Sequence, residues 1–220
     1  MDKQNEALKK IQNNELEKAA ALFIEYTEEN PQDPVGYINV GNILQQTNQI
    51  KEAERFYLKA IELDKDAATA YYGLGNLYYG EKMYDHAEKM FSHCLTLGLE
   101  ESDVYFLLGM TYMLRDQMML CLPFLQRATE IERKEEYLFQ YGLALAKMHY
   151  AEEASQIFHD LLSINETHAD ALYNLGILAF HATNFDDALD YLNRALQQQP
   201  DHSLARKAKQ TVEQMQQRDE

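Results

Sequence analysis

A repeat of about 34 residues runs along most of this chain and constrains its fold more than any other feature. Five glycines mark the repeat, Gly41, Gly75, Gly109, Gly142 and Gly176, and their sequence numbers differ successively by 34, 34, 33 and 34. A fixed period of this size is typical of solenoids, in which each repeat buries its apolar side only against its neighbours. The chain is therefore predicted to fold as a stack of similar repeats.

Other residues recur in register with the glycines and predict two helices in each repeat. In one repeat, Tyr71, Gly75 and Tyr78 have the i, i+4, i+7 spacing of a single helical face. A small residue and then a ring, Ala87 and Phe91, follow Gly75 at a distance that places them on a second helix. Each repeat is thus predicted to be a helical hairpin.

The glycines also predict how closely the two helices of a hairpin approach. Glycine in the middle of a helix costs about 1 kcal/mol relative to alanine, so its recurrence indicates a contact that a methyl group would prevent. The small residue of the second helix, such as Ala87, is the expected neighbour. The two helices are expected to join at a short polar break, such as Thr47-Asn48-Gln49 or Thr183-Asn184.

The run Tyr71, Leu74-Gly75, Tyr78, Ala87 and Phe91 resembles the tetratricopeptide-repeat (TPR) pattern, and the resemblance covers essentially the whole chain. It implies an all-α fold, an α-solenoid of stacked antiparallel helix hairpins that forms a right-handed superhelix with a C-terminal capping helix. The layout is also similar to small stand-alone bacterial repeat proteins of the YrrB type. A scaffold without cofactors or catalytic activity is what the resemblance implies.

Six repeats are predicted within residues 1–202. A degenerate first repeat has Ala7 in the place of the glycine, and the sequence leaves open whether it forms a full hairpin. Beyond the array, residues 203–220 are predicted to form the capping helix, with Ser203 as its N-cap. The predicted repeats are 1–33, 34–67, 68–101, 102–134, 135–168 and 169–202.

The first helices carry a second stripe of side chains that the predicted core does not require. In residues 104–114, which are apolar almost all the way round, Phe106, Met110 and Met113 form this stripe at i, i+4, i+7 spacing. In the repeat family such a stripe implies the concave groove where peptides bind; the alternative is that part of it packs against the adjacent repeat. The predicted binding residues are Asn39, Asn42, Tyr72, Asn76, Tyr79, Phe106, Met110, Met113, Phe139, Leu143, Tyr173, Ile177 and Phe180.

The stripe is polar towards the N-terminus and apolar beyond it. Asparagine side chains offer both a hydrogen-bond donor and an acceptor, so Asn39, Asn42 and Asn76 are suited to holding the backbone of an extended peptide. Asparagine is also an ordinary exposed residue, and that interpretation stays open. Methionine suits adaptable apolar surfaces, which predicts an apolar trough at the other end.

A second apolar patch lies around the small residue of the fourth repeat, Cys121. Met119, Leu120 and Phe124 exceed what the core register requires, which predicts a second interface or a dimer contact on the outer side. Alternatively, Pro123 distorts the start of the helix and turns these residues inward.

Charge and composition narrow the class of partner. The 36 acidic and 20 basic residues give a net charge of −16, which argues against nucleic acid or an anionic membrane surface and favours a basic or apolar peptide. No secretory signal and no membrane-spanning stretch is recognisable, so a cytoplasmic location is expected. The histidines show no metal-ligand spacing and no phosphate-binding loop is present, so no metal, cofactor or enzyme activity is expected.

The sequence therefore predicts a scaffold or adaptor that binds a peptide or partner helix in its groove. A self-associating architectural protein, which uses the outer patch or the ends of the solenoid, is the alternative. A carboxylate-clamp module for chaperone tails is disfavoured, because the stripe has Ile38, Tyr72 and Phe106 where that module needs a lysine.

Overall fold

The computed structural model describes residues 3–219 as a series of α-helices joined by short turns, with no strand in that range. The prediction of an all-α fold is confirmed. The helices are α1 (Lys3–Gln12), α2 (Leu16–Glu29), α3 (Pro34–Gln46), α4 (Ile50–Leu63), α5 (Ala68–Gly80), α6 (Tyr84–Thr96), α7 (Ser102–Leu114), α8 (Met118–Ile131), α9 (Glu135–Lys147), α10 (Ala151–Ile164), α11 (Ala169–His181), α12 (Phe185–Gln198) and α13 (Ser203–Asp219). They divide into two compact parts, an N-terminal half through Asp116 and a C-terminal half from Gln117.

The N-terminal half is a stack of helix hairpins. The helices of each pair, α1–α2, α3–α4 and α5–α6, pack together, and each second helix contacts the first helix that follows it. The first repeat forms a full hairpin: Ala7 and Phe23 are completely buried and share a core with Val40 of the next hairpin. The question that the sequence left open is thus settled by packing across the repeats.

The C-terminal half continues the same arrangement and ends in a capping helix. Helices α9–α10 and α11–α12 form hairpins, and α13 packs against both α12 and α11. Ala205 and Val212 of α13 are buried against Leu192 and Leu172, so the last hairpin does not expose its core. The predicted capping helix is present, but its N-cap is His202 rather than Ser203, because the His202 ring accepts a hydrogen bond from the backbone N–H of Ala205.

A ring of the facing helix covers the repeat glycines Gly41, Gly75 and Gly142, whereas Leu192 covers Gly176. A Cβ added to Gly75 would lie 2.7 Å from Cε1 of Phe91, and one added to Gly142 would lie 2.7 Å from Cε1 of Phe158. The nearest atoms at these two glycines thus belong to the ring. At Gly176 the expected small residue, Ala188, is a neighbour, with its carbonyl oxygen 3.3 Å from an added Cβ.

The turn inside each hairpin has the same backbone geometry. Within residues 3–219, the second residue after each first helix adopts the left-handed region with φ near +60°. Non-glycine residues are uncommon there, and asparagine tolerates it better than a β-branched residue does. The six residues with this conformation are Asn14, Asn48, Lys82, Asp116, His149 and Thr183.

Candidate partner-binding face

The residues predicted to bind a partner lie on the first helices, and most of them are only half-buried. In the N-terminal half they lie on α3, α5 and α7, which contact one another in that order. In the C-terminal half they lie on α9 and α11. The half-buried members are Asn39, Tyr72, Asn76, Tyr79, Met110, Met113, Phe139, Leu143, Tyr173, Ile177 and Phe180, and Asn42 is exposed.

Half-burial arises because the inner side of these side chains packs on the core. The ring of Tyr72 lies 6.2 Å from that of Phe91, and the ring of Phe139 lies 6.1 Å from that of Phe158. The remaining side of each ring stays accessible to solvent. The same side chains therefore pack on core rings of their own hairpin and present apolar surface.

Phe106 differs from the other members of the stripe. It is only 7% exposed, so it contributes packing and almost no surface for a partner. Helix α7 also buries Val104, Leu108 and Thr111, as expected for a helix that is apolar almost all round and is covered on more than one side. Phe106 is accordingly removed from the set of contact residues.

A hollow of about 440 Å³ lies at the polar end of the N-terminal half. Asn39 and Asn42, two of the three predicted asparagines, line it together, whereas Asn76 does not. The Asn39 amide nitrogen donates to the carbonyl oxygen of Val35 at 2.9 Å and is thus engaged within its own helix. The lining residues are Ile11, Asn39, Asn42, Ile43, Gln45 and Gln46, none of which is charged.

Tyr57 of α4 contacts two side chains that line the hollow, Asn42 and Gln45. Its ring is completely buried, and its hydroxyl oxygen lies 2.7 Å from Asn42 Oδ1 and 2.8 Å from Gln45 Oε1. Burial raises the pKa of the Tyr57 hydroxyl far above its ordinary value, so the hydroxyl keeps its proton. Tyr57 is not among the residues that the sequence analysis singled out.

A signal for this role of Tyr57 is present in the sequence. The equivalent places in the other repeats hold Phe23, Phe91, Leu125, Phe158 and Leu192, whose side chains have no polar atom. A hydroxyl at a buried position needs a hydrogen-bond partner, and a partner must therefore lie close by.

Two histidines border the apolar stripe in the C-terminal half. His168 and His202 each accept a hydrogen bond from a backbone N–H in the first turn of the next helix. Their rings lie 5.0 Å and 5.1 Å from those of Phe139 and Tyr173, respectively. Sequence reasoning treated the histidines as scattered, although these two are separated by one repeat period and are therefore equivalent.

Carboxylates lie close to Phe139 and Tyr173 in the sequence. Glu136 and Asp170 each precede a ring of the stripe by one helical turn on the same helix, and both are exposed. Asp170 Oδ1 lies 3.2 Å from Nε2 of His202. The apolar stripe of the C-terminal half is therefore bordered by negative charge.

The predicted outer patch is accessible in part. Met119 and Leu120 are 63% and 50% exposed, whereas Phe124 is half-buried. Helix α8 runs continuously from Met118 to Ile131 with Pro123 inside it. The proline does not turn Met119 and Leu120 inward.

Residues 3–219 lack the features that mark several other functional classes. No group of three or more His, Cys, Asp or Glu residues in that range is arranged to hold a metal ion. None of the helices there combines the length and apolar character needed to cross a bilayer. Cys94 and Cys121 are free and fully buried, and burial raises the pKa of their thiols to about 12 and about 11. Their thiols are therefore poor nucleophiles.

Family models and solved structures both match this arrangement. A model described as TPR repeat matches residues 41–81, and two described as tetratricopeptide repeat match residues 68–97 and 145–211. A comparison with curated proteins finds no match.

Among solved structures, YrrB is 41% identical with a TM-score of 0.81, over 86% of this chain and 97% of YrrB. PilF of Pseudomonas aeruginosa is 19% identical with a TM-score of 0.78, over 93% of this chain and 94% of that one. MamA is 20% identical with a TM-score of 0.71, over 76% and 92%. The similarity to PilF and MamA concerns the fold alone.

The predicted resemblance to the YrrB type is confirmed by the identity and by the coverage of both chains. Together with the helix hairpins described above, these matches establish the family. The chain belongs to the tetratricopeptide-repeat family, whose members are protein–protein interaction scaffolds.

Proposed function

We propose that this protein is an adaptor that binds a peptide or partner helix on the exposed side of its first helices. The observation that carries the proposal is the stripe of half-buried side chains at equivalent places of successive first helices. Tyr72, Asn76 and Met110 represent it in the N-terminal half, and Leu143 and Ile177 in the C-terminal half. A repeat scaffold offers a partner the apolar surface that recurs in each repeat and is not buried in the core.

The relative with the higher identity supports this proposal. The structure of YrrB is described as that of a TPR protein with an unusual peptide-binding site. At 41% identity over most of both chains, binding of a peptide is the simplest expectation for the present protein as well.

The chemistry of the face favours a partner with apolar and basic residues. Leu143 and Ile177 offer apolar contact, and the exposed carboxylates of Glu136 and Asp170 lie on the same helices. The net charge of −16 adds a long-range attraction for cations. A peptide that alternates apolar and basic residues satisfies both features.

The proposal can be tested with peptides selected by the wild-type protein from a random-sequence display library. The variant Leu143→Gln/Ile177→Gln removes apolar surface from the stripe of the C-terminal half. We expect it to bind the selected peptides at least about tenfold more weakly, since two apolar contacts of about 1 kcal/mol each are lost. Fluorescence anisotropy gives the affinity, and far-UV circular dichroism checks that the helix content is retained.

The matched control is Leu58→Gln/Ile164→Gln, which makes the same two exchanges on second helices. Both residues are 47% exposed, so the fold tolerates their replacement. The control should bind within about twofold of wild type. Equal weakening by both variants, or peptide binding that neither variant changes, would remove the stripe as the binding surface.

Self-association through the outer patch is a second candidate function. It is favoured by the exposure of Met119 and Leu120, two adjacent large apolar side chains on α8. Light scattering after size-exclusion chromatography at two protein concentrations tests it directly. A dimer that grows with concentration and disappears in Met119→Gln/Leu120→Gln would support this function, whereas a monomer throughout would exclude it.

A further inference from the structure

We propose that Tyr57 is a positioning residue that orients the amides of Asn42 and Gln45 for recognition of a peptide backbone. This inference rests on the proposed function. It adds which chemical group of the partner is recognised at the polar, N-terminal end of the stripe. Its basis is the contact of one buried hydroxyl with two amide side chains, at 2.7 and 2.8 Å, both of which line the hollow.

A hydroxyl group has one proton, and this limits how it can serve two amides. Tyr57 can donate to the oxygen of only one of them, so the other amide is satisfied when its oxygen and nitrogen exchange places and its N–H donates to the phenolic oxygen. The first amide then keeps its NH₂ group for a ligand, and the second keeps its carbonyl oxygen. One donor and one acceptor are thus presented side by side.

The Tyr57 hydroxyl is held in place by the helices around it. A Cβ added to Gly41 would lie 2.8 Å from Cε1 of the Tyr57 ring, and one added to Gly73 would lie 2.4 Å from the same atom. The ring is therefore clamped between the backbones of α3 and α5, and only glycine permits this at both positions. A clamped ring fixes its hydroxyl and, through it, the two amides.

A neighbouring donor and acceptor match the N–H and C=O groups of a peptide backbone. The hollow has four amide side chains and two isoleucines but no charged residue, so it offers no partner for an ionic side chain. Its volume of about 440 Å³ is enough for a short stretch of extended chain. The occupant we infer is the uncharged main chain of an extended peptide segment, held largely without regard to its sequence.

The variant Tyr57→Phe tests the role of the hydroxyl without disturbing the clamp. Phenylalanine occupies the equivalent place in three other repeats, as Phe23, Phe91 and Phe158, so the fold accepts the exchange. The probes are the library peptides selected by the wild-type protein. We expect about tenfold weaker binding, because two backbone hydrogen bonds lose their fixed partners.

Tyr78→Phe is the matched control. It also removes one buried tyrosine hydroxyl, but this hydroxyl donates to Glu54 Oε1 at 2.6 Å, and Glu54 does not line the hollow. The control should lose stability to urea while keeping wild-type affinity for the peptides. It thereby separates a loss of stability from a loss of positioning.

Methylation of the peptide backbone distinguishes a positioning role of Tyr57 from a purely structural one. Each backbone nitrogen of the strongest peptide is methylated in turn, and its affinity is measured for wild type and for Tyr57→Phe. We expect one methylated position to weaken wild-type binding about tenfold and to have less than about a twofold effect on Tyr57→Phe. The two changes should thus be non-additive.

The outcomes separate the two proposals. Binding that is weakened by Leu143→Gln/Ile177→Gln, but unchanged by Tyr57→Phe and by every methylation, overturns the inference about Tyr57 and leaves the proposed function standing. Failure of every library peptide to bind wild-type protein, or binding that is indifferent to both variants, overturns the proposed function and the inference with it.

Discussion

Single glycines determine how closely the helices of a hairpin can pack. Gly75 allows the Phe91 ring to lie against the backbone of α5, and the completely buried ring fills the space between the two helices. A methyl group at 2.7 Å from the ring would be closer than two carbon atoms approach without strain. The glycine of the repeat is therefore a packing requirement rather than a flexible point.

Replacement of Gly75 by alanine should destabilise the protein, although alanine is the better helix former. The overpacked contact with Phe91 should cost about 1–3 kcal/mol, more than the gain of about 1 kcal/mol in helix propensity. Gly80→Ala is the matched control, because a Cβ at the end of the same helix meets nothing within 4 Å. Urea unfolding should rank the proteins Gly80→Ala, wild type and Gly75→Ala in order of decreasing stability; equal stability of the two variants would contradict the packing.

The period of the glycines could be recognised in the sequence, but another set of recurring positions could not. The left-handed turn positions recur with the same period, yet they hold side chains as different as Lys82, His149 and Thr183. Their conformation follows from the geometry of the hairpin turn and not from the preference of the residue. A pattern search based on residue type therefore passes over them.

Helix hairpins in the N-terminal half are joined by a repeated hydrogen bond. The hydroxyl of Tyr78 donates to Glu54 and that of Tyr112 donates to Glu88, with the same sequence separation in both pairs. The equivalent places in the C-terminal half hold Leu145 and Ala179, which cannot make this bond. Contacts between successive hairpins are thus partly polar in the N-terminal half and apolar at the same places in the C-terminal half.

The caps of two helices in the C-terminal half depend on histidine rings. His202 is 6% exposed, accepts a hydrogen bond from the backbone N–H of Ala205, and packs against Tyr173. We expect His202→Ala to cost about 2–3 kcal/mol, of which the lost N-cap contributes about 1 kcal/mol and the lost ring packing the remainder. His202→Asn retains a capping side chain and should recover about 1 kcal/mol.

Urea unfolding of both His202 variants measures the two contributions separately. If asparagine is no better than alanine, the cap contributes nothing and the ring acts only by packing. If both variants match wild type, α13 is not held at its N-terminus by His202.

The helices were more predictable than the site that they carry. Spacing alone identified the hairpins, because each helix must place its apolar residues on one face. The spacing could not predict that Phe106 is buried while Met110 remains half-buried. A helix that is apolar on all sides does not indicate which side faces the core. Nor could the spacing pair Tyr57 with Asn42, because a turn and parts of two helices separate them in the chain and only the packed hairpin brings them together.

Across the whole chain, negative charge is in large excess. The net charge is −16, while the ion pairs that do form lie largely at the surface, as in Lys59–Glu62 at 3.1 Å. Exposed pairs contribute about 0–1 kcal/mol each, and salt weakens them. Repulsion among the unpaired carboxylates acts in the opposite direction, since salt relieves it.

Repulsion among the carboxylates should outweigh the attraction within the exposed ion pairs, so the melting temperature should rise with salt. Between about 10 mM and about 300 mM NaCl we expect an increase of several degrees, because about 1–2 kcal/mol of repulsion is screened. The variant Glu28→Lys/Glu81→Lys/Glu166→Lys, at three exposed positions, should show a smaller increase and a higher melting temperature at low salt. Aspartate at the same three positions keeps the charge and should retain the wild-type salt dependence. A melting temperature that falls with salt would mean that local ion pairs, and not overall repulsion, dominate the electrostatic free energy of folding.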